Sequence, residues 1–240
     1  MATPDETIGT MREVAPVPGL RDADQLDHRT RVSKRAFTEL TILVVLIEVI
    51  MWIVPVVPHA RFAYGLIAVV IAFLLAYTFF RDRITARELG LRVDNFFRAL
   101  KPLAIPLAVF VLLVVFVGFE FGALRFGAKF FSMLLFVPVW ALLQQYMLLA
   151  FVGRRLRSIL GGGLSGAFAT AALFALLHLP NPVLTIACAA GGYLWARVYE
   201  REPNLFANAL THAVASAFLA NSLPGWMLKN MVVGYNYFLR

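Results

Sequence analysis

The sequence predicts an all-α fold, a polytopic membrane helix bundle of about seven transmembrane helices followed by a short C-terminal interfacial helix. Three observations lead there. Of 240 residues, 60% are hydrophobic and only 15% charged, with a mean hydropathy of +0.76; soluble domains carry roughly 25% charged and 45–50% apolar residues. The apolar residues fall into long runs, most of them about 17–25 residues, the length a spanning helix requires. The basic residues lie between those runs. A net charge of +8 on one face of a soluble domain suggests nucleic acid, but charges confined to the ends of apolar runs belong to membrane topology. The expected partner is therefore the lipid bilayer and not nucleic acid.

Taken in order, residues 1–36 are polar, contain Pro4, Pro16, Pro18 and Gly19, and end in a basic cluster of Arg29, Arg31, Lys34 and Arg35. They lack the 7–15-residue apolar core of a secretory signal and are expected to form a disordered cytoplasmic tail. Residues 37–240 then form a single transmembrane domain. Its apolar runs lie near 38–57, 62–80, 103–122, 130–152, 163–179, 182–198 and 204–223. Residues 225–239 are shorter and interrupted by Lys229, Asn230 and Asn236, which reads as an interfacial or re-entrant piece. The one cysteine, Cys188, excludes an internal disulfide and reads as a packing residue.

The basic residues orient the bundle. Six lysines and arginines lie in the tail, six in 81–101, three in 153–160 and two in 197–203, against five on the opposite side. The expected topology is an integral protein of the cell membrane with a cytoplasmic N-terminus. The 81–101 loop mixes Leu89, Leu91, Val93, Phe96 and Phe97 with Arg87, Arg92, Arg98 and Lys101, so it is expected to lie along the headgroups.

Small residues recur at four-residue spacing: Gly162, Gly166 and Thr170; Ala167, Ala171 and Ala175; Ala187 and Gly191. Such faces let membrane helices approach closely. They predict that the fifth and sixth runs are central, with runs one to three outside.

Polar residues within apolar runs are costly and are the first candidates for function. Here they are Glu48, Glu120, Gln144, Gln145, His178, Asn208, Thr211, His212 and Ser216. Glu120 stands near the end of its run and reads as a headgroup contact. Gln145 and His178 lie sixteen residues either side of the Gly161–Gly162 turn, each about 24 Å back along its helix. Asn208, His212 and Ser216 follow at i, i+4 and i+8 and line one face.

The order and spacing of these groups resemble the CAAX-prenyl-protease and bacteriocin-processing family of intramembrane metallopeptidases. Its pattern is a Glu-Glu pair followed after three residues by Arg-Gly, then Phe-xxx-His, then His-xxx-Asn. Phe174-Ala-Leu-Leu-His178 matches the second motif and His212 the histidine of the third, while Arg154-Arg155-Leu156 and Glu88-Leu89-Gly90-Leu91 also look familial. The similarity covers roughly 85–222. In the remaining positions the chain departs: Gln144 and Gln145 stand for the glutamates, Leu149 and Ala150 for Arg-Gly, and Ser216 for the asparagine.

The resemblance implies an endopeptidase of membrane-associated, for example prenylated, peptides, in which a glutamate and histidines activate water and the asparagine stabilises the oxyanion. On that pattern Gln144, Gln145, His178, His212 and Ser216 occupy the catalytic positions, and His178 and His212 are the candidate ligands of a divalent metal such as zinc. A carboxylate accepts the proton of an attacking water; a carboxamide of the same size hydrogen-bonds but does not. A histidine titrates near ~6.5 and is the alternative base. Three readings result: a peptidase with a variant active site, a non-catalytic membrane binding or scaffold protein using the same pocket, and a proton- or ion-coupled transporter using Glu48 and the histidines. The last is disfavoured because no inverted repeat or broken helix pair is apparent.

Overall fold

The computed structural model describes the backbone of residues 18–239 except 59, and the side chains from Thr30 onward except those of 59 and Arg61. The described residues are mostly helical, with no strand among them. The helices are α1 (Pro18–Glu48), α2 (Arg61–Asp82), α3 (Phe96–Glu120), α4 (Ala128–Gln145), α5 (Arg154–Leu160), α6 (Leu164–Leu176), α7 (Pro182–Arg201), α8 (Leu205–Ser222) and α9 (Gly225–Leu228). The first 17 residues of the expected tail lie outside the described residues. From Pro18 the chain is already helix, so α1 takes in the basic cluster that the sequence assigned to the tail.

Among the described residues, four stretches are long and apolar enough to cross a membrane: Thr30–Val56, Phe62–Asp82, Phe96–Glu120 and Ala128–Leu160. The remaining three runs are less lipid-like for physical reasons. Helix α6 has only 13 residues, α7 ends in Arg197, Glu200 and Arg201, and α8 carries Asn208, Thr211 and His212. Polar groups of that kind are tolerated in a membrane protein where protein surrounds them, and α8 buries Leu205, Ala207, Asn208, Thr211, His212, Ala213 and Ala217. The architecture is thus an all-α membrane bundle. Its central element is α8, packed against both α3 and α4, and not the fifth and sixth runs. Those pair with each other as α6 and α7. The small-residue rule holds at both places, because the alanines of α8 are what let α3 and α4 close on it.

Helix α4 does not end at Gln145. It continues as a π-helical stretch, Tyr146–Gly153, into α5. Widened turns of this kind are rare and concentrate at functional sites. Here the stretch presents six consecutive buried residues, Leu148 to Gly153, which a regular α-helix with one buried face does not do.

Asparagines set the ends of α7 and α8. Asn181 accepts from the Leu184 amide at 3.2 Å with Pro182 beside it, and Asn204 accepts from the Ala207 amide at 2.8 Å; both satisfy an orphan donor at a helix start. The same side chains also reach outward. Asn181 donates to the carbonyls of Leu228 (2.7 Å) and Val232 (3.2 Å), tying down the C-terminal segment. That segment is one short helix followed by turns, with Lys229, Asn230 and Met231 all left-handed (φ 44°, 54° and 60°).

Asn204 donates to the Arg92 carbonyl and to Asn95 Oδ1, both at 2.7 Å, and Tyr199 donates to the Leu89 carbonyl at 2.8 Å. The 83–95 loop is therefore bolted to the α7–α8 turn. Gly90 makes this possible: at φ +76°, a Cβ there would stand 2.8 Å from Asn204 N. At the same end of the bundle, Glu39 of α1 bonds Arg155 of α5 (2.6 Å) and Arg81 of α2 (2.7 Å), clasping three helices with one buried carboxylate.

Candidate functional site

Phe174 is the hub around which the two histidines meet. Its ring lies 4.7 Å from the His178 ring at 74° and 6.0 Å from the His212 ring at 85°. His178 follows one turn after Phe174, and its Nδ1 donates to the Phe174 carbonyl at 2.6 Å. His212 is held from two other directions. Trp195 of α7 stacks on it at 4.6 Å and 29°, with the indole N–H given to Thr211 at 3.1 Å. The Gln145 amide lies 3.2 Å from His212 Nδ1. Ring packing and one polar contact to each thus fix both imidazoles.

The partners also decide the tautomers. A carbonyl only accepts, so His178 Nδ1 carries hydrogen and its Nε2 is left as an acceptor. The Gln145 contact places Nε2 against the ring, so the amide donates and His212 Nδ1 accepts; the proton of His212 then sits on Nε2. In this arrangement Gln145 Oε1 is a buried acceptor without a partner. Turning the amide over would orphan an N–H donor instead, a rarer and costlier arrangement.

Four of the five residues singled out from the sequence come together. Gln144, His178, His212 and Ser216 share the wall of one cavity of about 790 Å³ between α3, α4, α7 and α8. Gln145 does not line it. It is fully buried behind His212. Of the wider candidates, Asn208 is buried away from the cavity, Glu120 is exposed at the end of α3, and Glu48 is half-buried in α1; none of the three lines the cavity. Trp195 and the C-terminal Met231 and Val233 do line it, and sequence reasoning missed them. Only the Gly191–Trp195 spacing hinted at Trp195, since the glycine leaves room that a Cβ would take at 2.9 Å from the indole.

Apart from Thr211 the rest of the wall is largely apolar, and it contains no Asp, Glu, Lys or Arg. The donor set does not fit the metal that the resemblance implies. Zinc takes three or four protein ligands, whereas the two histidines offer at most one ring nitrogen each and no carboxylate lines the cavity beside them. No cluster of three or more His, Cys, Asp or Glu suited to a metal occurs among the described residues.

Outside the membrane, the 83–95 loop carries its own electrostatics. Asp94 accepts from Arg92 at 2.7 Å and from Arg87 at 2.9 Å. Hydrogen bonding by Arg92, with the charge of Arg87 added, lowers its carboxyl to about 2. Glu88 is likewise held below the usual carboxylate range, first by the Thr85 amide and then by the Thr85 hydroxyl.

No curated protein and no solved structure matches the chain. A family model does: that of the type II CAAX prenyl endopeptidase Rce1-like proteins aligns with residues 95–218, just over half of the chain. The matched stretch runs from the start of α3 to near the end of α8 and so contains every element that builds the cavity wall except the C-terminal turn. The chain therefore belongs to the Rce1-like family of type II CAAX prenyl endopeptidases.

Proposed function

We propose that this chain is a non-hydrolytic member of its family, which holds the apolar part of a membrane-associated ligand, such as a lipidated peptide, in the cavity where its relatives carry out cleavage. The observation that carries this reading is the wall itself: Gln144, His178, His212 and Ser216 open on one large apolar cavity that holds no carboxylate. Hydrolysis in the family's manner needs a carboxylate to take the proton of water. Gln144 and Gln145 fill that volume and keep its hydrogen bonding, but neither amide is a base. An apolar cavity with a few polar groups is at the same time the usual form of a small-ligand site. The protein is proposed to sit in the cell membrane with its N-terminus and the 83–95 loop in the cytoplasm, as the distribution of basic residues supports.

One specific feature favours a second reading. His178 Nε2 is a free acceptor and so a possible base, which points to a histidine-driven peptidase. The test is reconstitution of the purified protein with fluorescent prenylated and unmodified peptides, following binding by anisotropy and cleavage by mass. Binding of the prenylated peptide without cleavage is expected. Cleavage that is lost in His178→Ala overturns the binding reading in favour of the peptidase.

A further inference from the structure

Besides Thr211, whose hydroxyl is already bonded, the cavity's polar groups are neutral, with free positions of opposite hydrogen-bonding sense. His178 Nε2 and His212 Nε2 have no protein partner among the described residues. Neither is among the fully enclosed polar atoms left without a partner, and both residues line the cavity. The Gln144 amide and the Ser216 hydroxyl line the same wall, also without a protein hydrogen bond. No charged side chain is present to pair with an ion. The mouth faces lipid: Ile105, Val109 and Leu113 of α3 and Trp140 of α4 line the cavity yet are 76%, 60%, 58% and 57% exposed.

From this we infer that the ligand is an uncharged amphiphile that enters from the bilayer and carries a polar group which both donates and accepts, a hydroxyl or a carboxamide, held between His178 and His212. The inference rests on the binding reading above and specifies its ligand. His178 Nε2 accepts the ligand's O–H or N–H, and His212 Nε2–H donates to its oxygen. Gln145 is the positioning residue: its amide donates to His212 Nδ1 and so holds the proton on the nitrogen that faces the ligand. Gln144 and Ser216 supply further neutral partners. A permanent anion would lie in an apolar site without a counter-charge, which is strongly unfavourable.

The test uses the full chain in lipid nanodiscs with three probes of equal chain length: hexadecanol, hexadecyl methyl ether and hexadecanesulfonate. Competition against radiolabelled hexadecanol gives the affinities. The alcohol is expected to bind about tenfold tighter than the ether, the effect of one lost hydrogen bond, and at least about a hundredfold tighter than the sulfonate. In His178→Phe, which keeps the ring, alcohol and ether should bind alike. Nitrogen NMR of histidine-labelled wild-type protein gives a check that needs no variant: one Nδ1–H and one Nε2–H tautomer are expected for His178 and His212. Equal affinity for alcohol and ether in the wild type, sulfonate binding as tight as alcohol, or the same tautomer at both histidines would overturn the inference while leaving the binding reading in place. Binding of none of the probes would overturn the inference, and the prenylated peptide then decides the binding reading by itself.

Discussion

Gln145 Nε2 lies 3.2 Å from Nδ1 of His212, and the side chain that makes this contact is completely buried. A glutamine here can satisfy the imidazole without bringing in charge. A glutamate at this position would need a cation, and the position four residues on is occupied by Leu149, itself 1% exposed. Gln145→Glu is therefore expected to lower stability in detergent by about 2–4 kcal/mol. Gln145→Met, which keeps the volume and also removes the orphaned Oε1, should lose only about 1 kcal/mol. Thermal unfolding of the two variants checks the order, and a glutamate variant as stable as the methionine one would contradict it.

The Glu39 clasp should matter more for stability than any single group in the cavity. Glu39 bonds Arg155 and Arg81 at 2.6 and 2.7 Å, and Arg35 at 3.1 Å. Glu39→Gln would leave three arginines with Asp82 as their remaining carboxylate, and Arg155 is at least as buried as Glu39, at 7% against 8% exposed. Breaking a buried pair by removing one partner costs about 3–5 kcal/mol. The variant should unfold at markedly lower temperature, with α1 and α2 the first segments to become accessible to protease.

Two glycines should respond in opposite directions. A Cβ on Gly118 would come 2.3 Å from the Ser222 carbonyl oxygen, whereas one on Gly65 meets nothing within 4 Å. Gly118→Ala is expected to push α3 away from the end of α8 and cost about 1–3 kcal/mol. Gly65→Ala, inside α2, should be neutral or stabilising by about 0.5–1 kcal/mol through helix propensity. Paired denaturation curves decide the matter.

The 83–95 loop should loosen in acid. The Asp94 carboxyl is held at about 2 by Arg92 and Arg87, below the ~3.9 of an unperturbed aspartate. A depressed carboxyl contributes stability above its unfolded value and loses it as pH falls through the folded one. Amide exchange at 89–91 should therefore be faster in Asp94→Asn than in wild type at neutral pH. The difference should shrink as pH drops from about 4 towards about 2. A difference that grows in acid would mean that Asp94 does not hold the loop.

The orientation is checked by single cysteines in a Cys188→Ala background. A cysteine at Arg92 should react with an impermeant maleimide only from the cytoplasmic side, and one at Gly127 only from outside. The reverse pattern would invert the topology and with it the side on which the 83–95 loop lies.

Much of the arrangement was legible in the sequence because it follows from local properties. Run lengths and hydropathy predict membrane helices, and the small residues of 162–175 and 187–191 mark faces of close approach, although they pair α6 with α7 rather than placing those helices at the centre. His178, His212, Gln144 and Ser216 could be named as a group because polar side chains inside apolar runs are conspicuous. What was not legible depends on how each helix is rotated. Neighbouring glutamines differ by about 100° around a helix, so one can face a cavity while the other is buried, and adjacency alone cannot say which is which. The same holds for the tail: a polar stretch with prolines reads as disordered, yet from Pro18 it continues as helix into the first span.

By itself the sequence determined the membrane class, the positions of the helices and the neutral chemistry of the site, since Gln-Gln stands where the family carries two carboxylates. The tertiary structure alone decided that α8 is the centre, that Asn181 and Asn204 cross-link turns far away in the chain, and that Gln145 faces a ring nitrogen while Gln144 faces open space. The physical reason is that composition and spacing act within a helix. Partner choice acts between helices, and it is set by the rotation of each helix, by the π-helical stretch after Gln145 and by which small residues let two backbones meet.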